Sequence, residues 1–282
     1  MPDIDYNGIT SAASLKDATF QNYLITDILV QAQGYGDLNN DALVRRWRVN
    51  GTYVTIPTMS AVVVGTDLAE FETVDTKSPK FAGVQAQLKA DEIRVAFSDE
   101  ALMNNNIANP MEMARIDGAI GFARALDKKI ATALDTTPQT LSAWNPSGSS
   151  FLNVAAQASA LLGNYRMSGI AMGIEAYGTV MSNIYAGANR TNNVDIRDGL
   201  SYLPGYNVPM ISSTSLPSDA IYFTSREAPG VYVVEGEFRT DYYRDHDTRS
   251  EVMQADVYNA VISNIRQTEN NLNEAVVKVE LA

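Results

Sequence analysis

The chain has 282 residues and a formal net charge of −12, with 45% hydrophobic residues, 19% charged residues and no cysteine. This length allows one large domain or two moderate ones, and the composition is that of an ordinary globular protein. The absence of cysteine excludes disulfides, thiolate metal sites and cysteine nucleophiles. Because 33 acidic residues outnumber 21 Lys and Arg residues, the overall charge argues against a dedicated nucleic-acid reader.

The apolar pattern indicates neither a membrane span nor a secretory signal. The most apolar short stretches, 61–65 and 170–174, are much shorter than the roughly 20 residues that a membrane helix needs. Asp3 and Asp5 are acidic where a secretory signal carries basic residues. We therefore expect a protein that is made and used inside a cell and has no membrane partner.

Residues 1–46 form a polar segment with one predicted helix. Leu15, Leu24 and Ile28 recur near helical spacing after Ser14, which can cap the helix. We interpret the segment as an extended N-terminal arm that ends in a loop at 34–41.

Residues 47–98 have the pattern of a long two-stranded β excursion. Apolar residues on both sides flank a polar interval, 66–80, which we predict to be the tip of the excursion. On the returning side, the apolar positions are even from Val84 to Ala90 and odd from Ile93 to Phe97. A change of parity moves the apolar side chains to the other face, so we predict a bulge or sharp twist near Asp91.

A long helix is predicted over 109–135, within the region 99–139. Asn109 can cap this helix, Pro110 suits its first position, and Glu112 lies where a capping box places an acid. At 1.5 Å per residue the helix would span roughly 40 Å. Its predicted apolar stripe consists of Met113, Ile116, Ile120, Ala123, Ile130 and Leu134.

The region 140–230 has an α/β pattern and follows a linker that contains proline and glycine. Helices are predicted at 151–162 and around Tyr177, the second ending at Gly187, with a buried strand at 170–174 between them. A polar loop is expected at 187–200. Short strands are predicted at 208–211, 220–223 and 231–234, and the alternation of Val277, Val279 and Leu281 indicates a last strand.

One loop contains residue types found in calcium sites. Asp37, Asn39 and Asp41 match the first three ligand positions of an EF-hand loop, but Ala42 and Arg48 stand where glycine and glutamate are needed. We interpret this stretch as a polar loop.

His246 is the only histidine, so a serine triad would have to use it. No nucleophile motif accompanies it, and a single histidine with flanking carboxylates is a weak metal signal. We interpret 241–247 as a solvated loop. The sequence therefore assigns no catalytic, cofactor-binding or metal-binding residues, and we predict no enzyme activity and no cofactor.

The order of these elements resembles the major capsid proteins of tailed phages and related archaeal viruses, which have the Hong Kong 97-like fold. The resemblance covers nearly the whole chain. The motifs that carry it are Ile56-Pro57-Thr58, the acidic excursion tip, residues 81–89 passing into 93–102, Ala125-Leu126-Asp127, and residues 203–209 with Ser213 and Leu216-Pro217.

This resemblance implies an α+β chain with five parts. Residues 1–46 would be the N-terminal arm, and 47–98 the extended loop with its flanking strands. Residues 99–139 would contain the spine helix of the peripheral domain, and 140–230 the axial domain. Residues 231–282 would be strands that return through the peripheral domain.

By the same resemblance the protein is a major capsid protein that assembles as pentamers and hexamers into an icosahedral shell around double-stranded DNA. It would be located in the virion and assembled in the host cytoplasm. Portal and decoration proteins are expected partners, and scaffolding would come from a separate protein. The negative charge would let the inner wall face DNA without adhering to it. Two alternatives stay open, an encapsulin-type shell around cargo protein and a cytoplasmic α/β hydrolytic enzyme with an unrecognised site.

Some relatives join a loop lysine to an asparagine of a neighbouring subunit, with a glutamate nearby. Lys77 and Lys80 are the lysines near the predicted loop tip, where neighbouring carboxylates favour their charged, unreactive form. We therefore expect a shell held without covalent cross-links. The asparagines available in the returning segment are Asn259, Asn264, Asn270 and Asn271.

Overall fold

The computed structural model describes residues 36–59, 81–98, 110–163, 166–186, 195–197, 200–225, 231–263 and 276–282. The predicted N-terminal helix, the excursion tip at 66–80 and the cap Asn109 lie outside these residues. In the described ranges the helices are α1 (Pro110–Asp135), α2 (Phe151–Leu161) and α3 (Ile174–Ala186). The strands are β1 (Val44–Arg48), β2 (Tyr53–Met59), β3 (Phe81–Gln87), β4 (Lys89–Ser98), β5 (Met167–Met172), β6 (Asp195–Arg197), β7 (Leu200–Leu203), β8 (Val208–Ser212), β9 (Ala220–Ser225), β10 (Val231–Asp245), β11 (Ser250–Ser263) and β12 (Val276–Glu280).

The strands form two main sheets and one ribbon. The first sheet has the order β1-β10-β11-β4, with β1 parallel to β10 and the other neighbours antiparallel. The second has the order β12-β9-β5-β8-β7-β6, in which β5 and β8 are parallel and the other neighbours antiparallel. β2 and β3 form a separate antiparallel ribbon. These mixed elements confirm the predicted α+β class.

The long helix is confirmed as α1, and it packs on β4, β10 and β11 of the four-stranded sheet. Ile130 and Leu134 are fully buried, as predicted, but Ile120 is only half-buried. Ala123 is buried as predicted, and Ala119, which the predicted stripe omitted, is fully buried as well. The stripe was predicted mainly from large apolar residues and therefore omitted Ala119. A small side chain at a buried position lets the helix approach the sheet closely.

On the returning side of the excursion, the apolar side chains move from one face of the strand to the other earlier in the chain than predicted. The register of β4 with β11 is continuous from Lys89 to Ser98, so there is no bulge at Asp91 in this ladder. The change occurs at Leu88, the residue between β3 and β4, where the chain leaves the ribbon and joins the sheet. Leu88 is 4% exposed and packs with Val234 and Ala260.

A bulge does occur beside Leu88, in β10. The register with β11 shifts between Glu235 and Phe238, which places two residues of β10 opposite Tyr258. Gly236 is one of them, and a Cβ there would lie 2.5 Å from a methyl carbon of Leu88. Glycine at this position therefore gives Leu88 the room to turn the chain from the ribbon into the sheet.

The region from α2 to β12 builds two cores on the six-stranded sheet. β5 and β9 are buried along nearly their whole length, because successive residues of each strand pack into different core clusters. One cluster contains Ile170 and Phe223, and the other contains Ala171 and Tyr222. β12 pairs with β9, so this last strand joins the six-stranded sheet whereas β10 and β11 lie in the four-stranded one. α2 begins as predicted at Phe151, after Ser150, whose side chain accepts a hydrogen bond from the backbone N–H of Leu152.

Two predictions in this region are wrong in detail. The strand predicted over 170–174 ends at Met172, and Ile174 begins α3. A Cβ on Gly173 would lie 2.0 Å from the backbone oxygen of Pro217, so the chain turns there in a space that only glycine fits. The polar loop expected at 187–200 contains β6, and β7 begins at Leu200. None of the described helices is long and apolar enough to cross a membrane.

Candidate functional site: the anchored helix α1 and the separate β2–β3 ribbon

The loop with calcium-type residues serves as a connection to α1. Asp127, 5% exposed on the buried face of α1, accepts hydrogen bonds from the backbone N–H groups of Asp37 at 2.9 Å and Leu38 at 3.2 Å. Asn40 caps the following turn by accepting from the backbone N–H of Ala42 at 2.9 Å. The loop prediction is confirmed, and these hydrogen bonds fix where the chain enters β1.

The buried position of Asp127 changes its ionisation. Burial raises the pKa of the Asp127 carboxyl from 3.8 to about 6, and the backbone hydrogen bonds from Asp37 and Leu38 counteract only part of that rise. Asp37, which is close by, also has a raised pKa because of its own partial burial. The contact between α1 and the entering chain is therefore sensitive to mildly acidic pH.

A second polar cluster joins the middle of α1 to the four-stranded sheet. Lys129 Nζ lies 2.7 Å from both carboxylate oxygens of Asp91 on β4 and 2.6 Å from Oδ1 of Asn259 on β11. The Asn259 amide N–H₂ donates to the same Asp91 carboxylate at 2.7 Å. Asn259 is 6% exposed, so its side chain is bonded inside the subunit. Of the asparagines named as possible cross-link acceptors, Asn264, Asn270 and Asn271 lie outside the described residues, as do Lys77 and Lys80.

A third cluster holds the C-terminal end of α1 on the six-stranded sheet. The hydroxyl of the fully buried Tyr222 donates to Asp135 Oδ1 at 2.7 Å, and Lys278 Nζ lies 2.8 Å from the same oxygen. Hydrogen bonds from Lys278 and Tyr222 lower the pKa of Asp135, and burial together with Asp135 raises the pKa of Tyr222. Tyr222 on β9 and Lys278 on β12 bond α1 to the six-stranded sheet, whereas Asp91 and Asn259 bond it to the four-stranded one.

His246 lies far from these clusters in the chain, in the turn that joins β10 to β11. It is exposed, and Asp245 stabilises the turn by accepting from the backbone N–H of Asp247 at 3.0 Å. The solvated-loop interpretation is confirmed for 246–249, whereas residues 241–245 belong to β10. Among the residues that the structure describes, no group of three or more His, Asp and Glu side chains could hold a metal ion.

The β2–β3 ribbon packs against the rest of the subunit at its base. Val54 packs there with Leu88 and Ile262, and the backbone N–H of Leu88 donates to Thr52 at 2.9 Å. Tyr53, by contrast, is 60% exposed, and no third strand pairs with the described part of the ribbon. An isolated two-stranded ribbon is marginally stable in water. Its surface is therefore suited to contact another protein chain.

The six-stranded region also carries exposed large apolar side chains. Ile174 and Tyr185, at the two ends of α3, are 56% and 59% exposed, and Ile196 on β6 is 65% exposed. Isolated apolar residues are common on protein surfaces, so these three are candidate contact residues one by one and not a single patch. Sequence patterns did not single them out, because exposure depends on the packing of α3 and β6.

No family model and no curated protein matches the sequence. The structure, however, is similar to solved shell proteins. A virus-like particle from Pyrococcus furiosus has a TM-score of 0.60 at 10% identity, over 92% of this chain and 98% of that chain. The capsid structure of the cyanophage P-SCSP1u gives a TM-score of 0.61 at 9% identity, over 86% of this chain and 87% of that one.

The chain has the Hong Kong 97-like capsid fold. An encapsulin, the SrpI complex of Synechococcus elongatus, is equally similar, with a TM-score of 0.61 at 10% identity over 84% of this chain and 85% of that one. The fold is one that forms shells, and it occurs in both phage capsids and encapsulins.

Proposed function

We propose that the protein is a major capsid protein that self-assembles into a closed icosahedral shell around a double-stranded DNA genome. The observation that carries the proposal is the separate two-stranded β2–β3 ribbon on a Hong Kong 97-like fold. The described ribbon has exposed side chains and no third strand, so a second copy of the chain is the partner that would cover it. Pentamers and hexamers would form around the six-stranded region, where Ile174, Tyr185 and Ile196 are exposed.

The choice of contents rests on charge and on the phage capsids among the similar structures. A net charge of −12 limits adhesion of densely packed DNA to the inner wall. The role is structural and not enzymatic, and the protein would reside in the virion after assembly in the host cytoplasm. A separate scaffolding protein, a portal and decoration proteins are its expected partners. The similarity to the SrpI encapsulin supports a second candidate, a shell around cargo protein.

Deletion of residues 66–80 tests the assembly part of the proposal. The deletion would remove the predicted loop tip, and we expect it to abolish shells while the circular dichroism spectrum keeps its helical signal. Replacing the exposed turn residue His246 with alanine is the matched control, because that turn is distant in sequence from the loop. A deletion variant that still forms normal shells would contradict the assignment of the loop.

The contents are tested on particles isolated from the native source and treated with nuclease. The proposal predicts nuclease-resistant double-stranded DNA inside the particles. Particles without DNA that contain a stoichiometric second protein would contradict it and support the encapsulin alternative.

A further inference from the structure

A groove of about 420 Å³ lies between α1 and the place where the ribbon joins the four-stranded sheet. One wall is α1, where Thr132 and Thr136 line the groove, and the other is the end of β3 with Gln87. The floor is the end of β11, with Val261 and Ser263. The groove is therefore enclosed by three separate elements of the subunit.

The floor of the groove contains a strand edge without a partner. β4 pairs with β11 as far as Lys89, which lies opposite Asn259. The chain then leaves the sheet at Leu88, whose backbone N–H donates to Thr52 instead. Within the described residues, 260–263 of β11 therefore pair only with β10. Alternate residues of an antiparallel strand point their N–H and C=O groups to opposite sides, so this edge presents unpaired backbone groups beside the groove.

The two faces of the sheet differ in chemistry along this edge. Asn259 faces α1, because its side chain bonds to Lys129, and the exposed Lys89 opposite it lies on the same face. Ala260 and Ile262 point to the other face, where they pack in the apolar cluster at the base of the ribbon. A strand added beside β11 would therefore have a polar face with a lysine toward α1 and an apolar face toward the ribbon.

A short strand edge can stay open without harm, which is the simpler explanation. Edges left open are commonly protected by charged residues or by proline, and Ala260-Val261-Ile262-Ser263 contains neither. Its apolar and β-branched residues are instead typical of a strand that is paired on both sides. The composition of this edge therefore favours an added strand.

The segment Asp3-Ile4-Asp5-Tyr6 of the N-terminal arm fits both faces of such a strand. It alternates acidic and apolar residues with the period of a strand. With Ile4 and Tyr6 on the apolar face, the two aspartates would lie on the face of Lys89. Four residues of extended chain are about 13 Å long, which matches the length of the unpaired edge of β11.

Glu70-Phe71-Glu72 in the predicted excursion has a similar alternation. It is the weaker candidate, because the two sides of the excursion are predicted to pair with each other, whereas residues 3–6 have no predicted partner strand. The groove also lies far around α1 from the place where the arm enters the fold. At 3.6 residues per turn, Asp127, which binds the entering chain, is on the opposite side of α1 from Thr136. A neighbouring copy can supply the segment without passing around α1.

We propose that residues 3–6 of a second copy add to β11 as an extra strand beside 260–263. The subunits would be joined by backbone hydrogen bonds, and alternate side chains would give the specificity. The proposal rests on the proposed function in requiring a second copy of the chain. It does not depend on which side of a shell the groove faces.

Introduced cysteines test this contact, because the chain has no cysteine of its own. The test variant combines Asp5→Cys with Gln87→Cys, an exposed position in the groove. The control combines Asp5→Cys with Asp117→Cys, an exposed position on α1 outside the groove. After mild oxidation of the full-length protein, non-reducing gels should show at least about tenfold more disulfide-linked oligomer for the test pair than for the control pair.

Three results of this experiment would contradict the proposal. A disulfide within one chain would contradict the assignment to a second copy. Stronger cross-linking of Gln87→Cys with Glu72→Cys than with Asp5→Cys would identify the excursion as the occupant. Equal cross-linking by the control pair, or none by either pair, would show that residues 3–6 are not held in the groove.

Hydrogen exchange gives a second measurement that needs no cysteines. Ile4→Asp should speed exchange of the groove-facing amides in 260–263 at least about tenfold, because it removes the added strand. Residues 252–255, which pair on both sides, should be unaffected. Ile9→Asp is the matched control, since it makes the same change in the arm outside the segment. Unchanged exchange in Ile4→Asp would overturn the proposal.

Electron microscopy of the same samples separates this proposal from the proposed function. Wild-type shells without the cysteine contact and without the exchange effect would overturn only the proposal about the groove. Oligomers that cross-link through the groove but never close into shells would support the groove and refute only the proposed function.

Discussion

The buried carboxylate of Asp127 makes a stability prediction that can be worked out from the structure. Asp127→Asn keeps the size of the side chain and one acceptor oxygen but removes the ionisable group. One of the two backbone N–H groups that now donate to Asp127, from Asp37 and Leu38, would lose its acceptor. Leaving a buried donor without a partner costs about 1–3 kcal/mol, so the variant should be less stable than the wild type at pH 4.5.

The difference should shrink as the pH rises. The pKa of Asp127 is about 6 in the folded protein and near 3.8 when unfolded, so the folded state holds the extra proton between about pH 4 and pH 6. The wild type therefore loses stability as the pH rises through this window. At 1.36 kcal/mol per pKa unit, the wild type loses about 3 kcal/mol of folding stability over the whole window, and about 2 kcal/mol of this loss falls between pH 4.5 and 7.5.

Urea unfolding of unassembled protein, followed by circular dichroism at pH 4.5, 6.0 and 7.5 (about one and a half units apart), measures this difference. Subtracting the variant from the wild type removes the contributions of other carboxylates. The control is Asp117→Asn, an exposed position on the same helix, where the difference should stay within about 0.5 kcal/mol at each pH. The reasoning would be refuted if the difference in free energy of unfolding between the wild type and Asp127→Asn stayed constant or grew toward pH 7.5.

Three further predictions concern α1 and the assembled shell. Ile130→Asp should lower the free energy of unfolding by at least about 4 kcal/mol, because the side chain is fully buried. Ile120→Asp, at a half-buried position, should lower it by about 1–2 kcal/mol. Equal melting temperatures of the two variants would contradict this order. Lys129→Ala should cost about 1–3 kcal/mol, because it removes the cation paired with Asp91 and the donor to the Asn259 amide oxygen, and only the amide of Asn259 would still donate to Asp91. The exposed Lys128→Ala should cost less than about 0.5 kcal/mol, and urea unfolding measures both. Assembled particles boiled in detergent should give one gel band near 30.7 kDa, and a ladder of oligomers would show covalent cross-links.

The sequence predicted those helices and strands that are specified by residues close together in the chain. The Pro110 start of α1, the start of α2 at Phe151 and the apolar alternation near Val277 each depend on a few neighbouring residues, and the structure confirms all three elements. The order of such elements was enough to recognise the fold, although the chain is only 9–10% identical to the three solved shell proteins described above. The fold class could therefore be predicted mainly from local sequence signals.

The features that the sequence did not predict depend on residues far apart in the chain. Lys129 and Asn259 are separated by 130 positions, and the backbone N–H of Leu38 donates to Asp127 across 89 positions. The bulge at Gly236 exists because Leu88 packs against it, so it appears in β10 and not near the change of parity in the sequence. Such contacts are set by the pairing of whole strands, which periodicity alone does not specify.

Electron microscopy of the purified full-length protein, over a range of concentration and salt, tests the central claim most directly. The account predicts closed shells with icosahedral symmetry, in which the β2–β3 ribbon of one subunit lies on its neighbour. A protein that stays monomeric under all these conditions would contradict it.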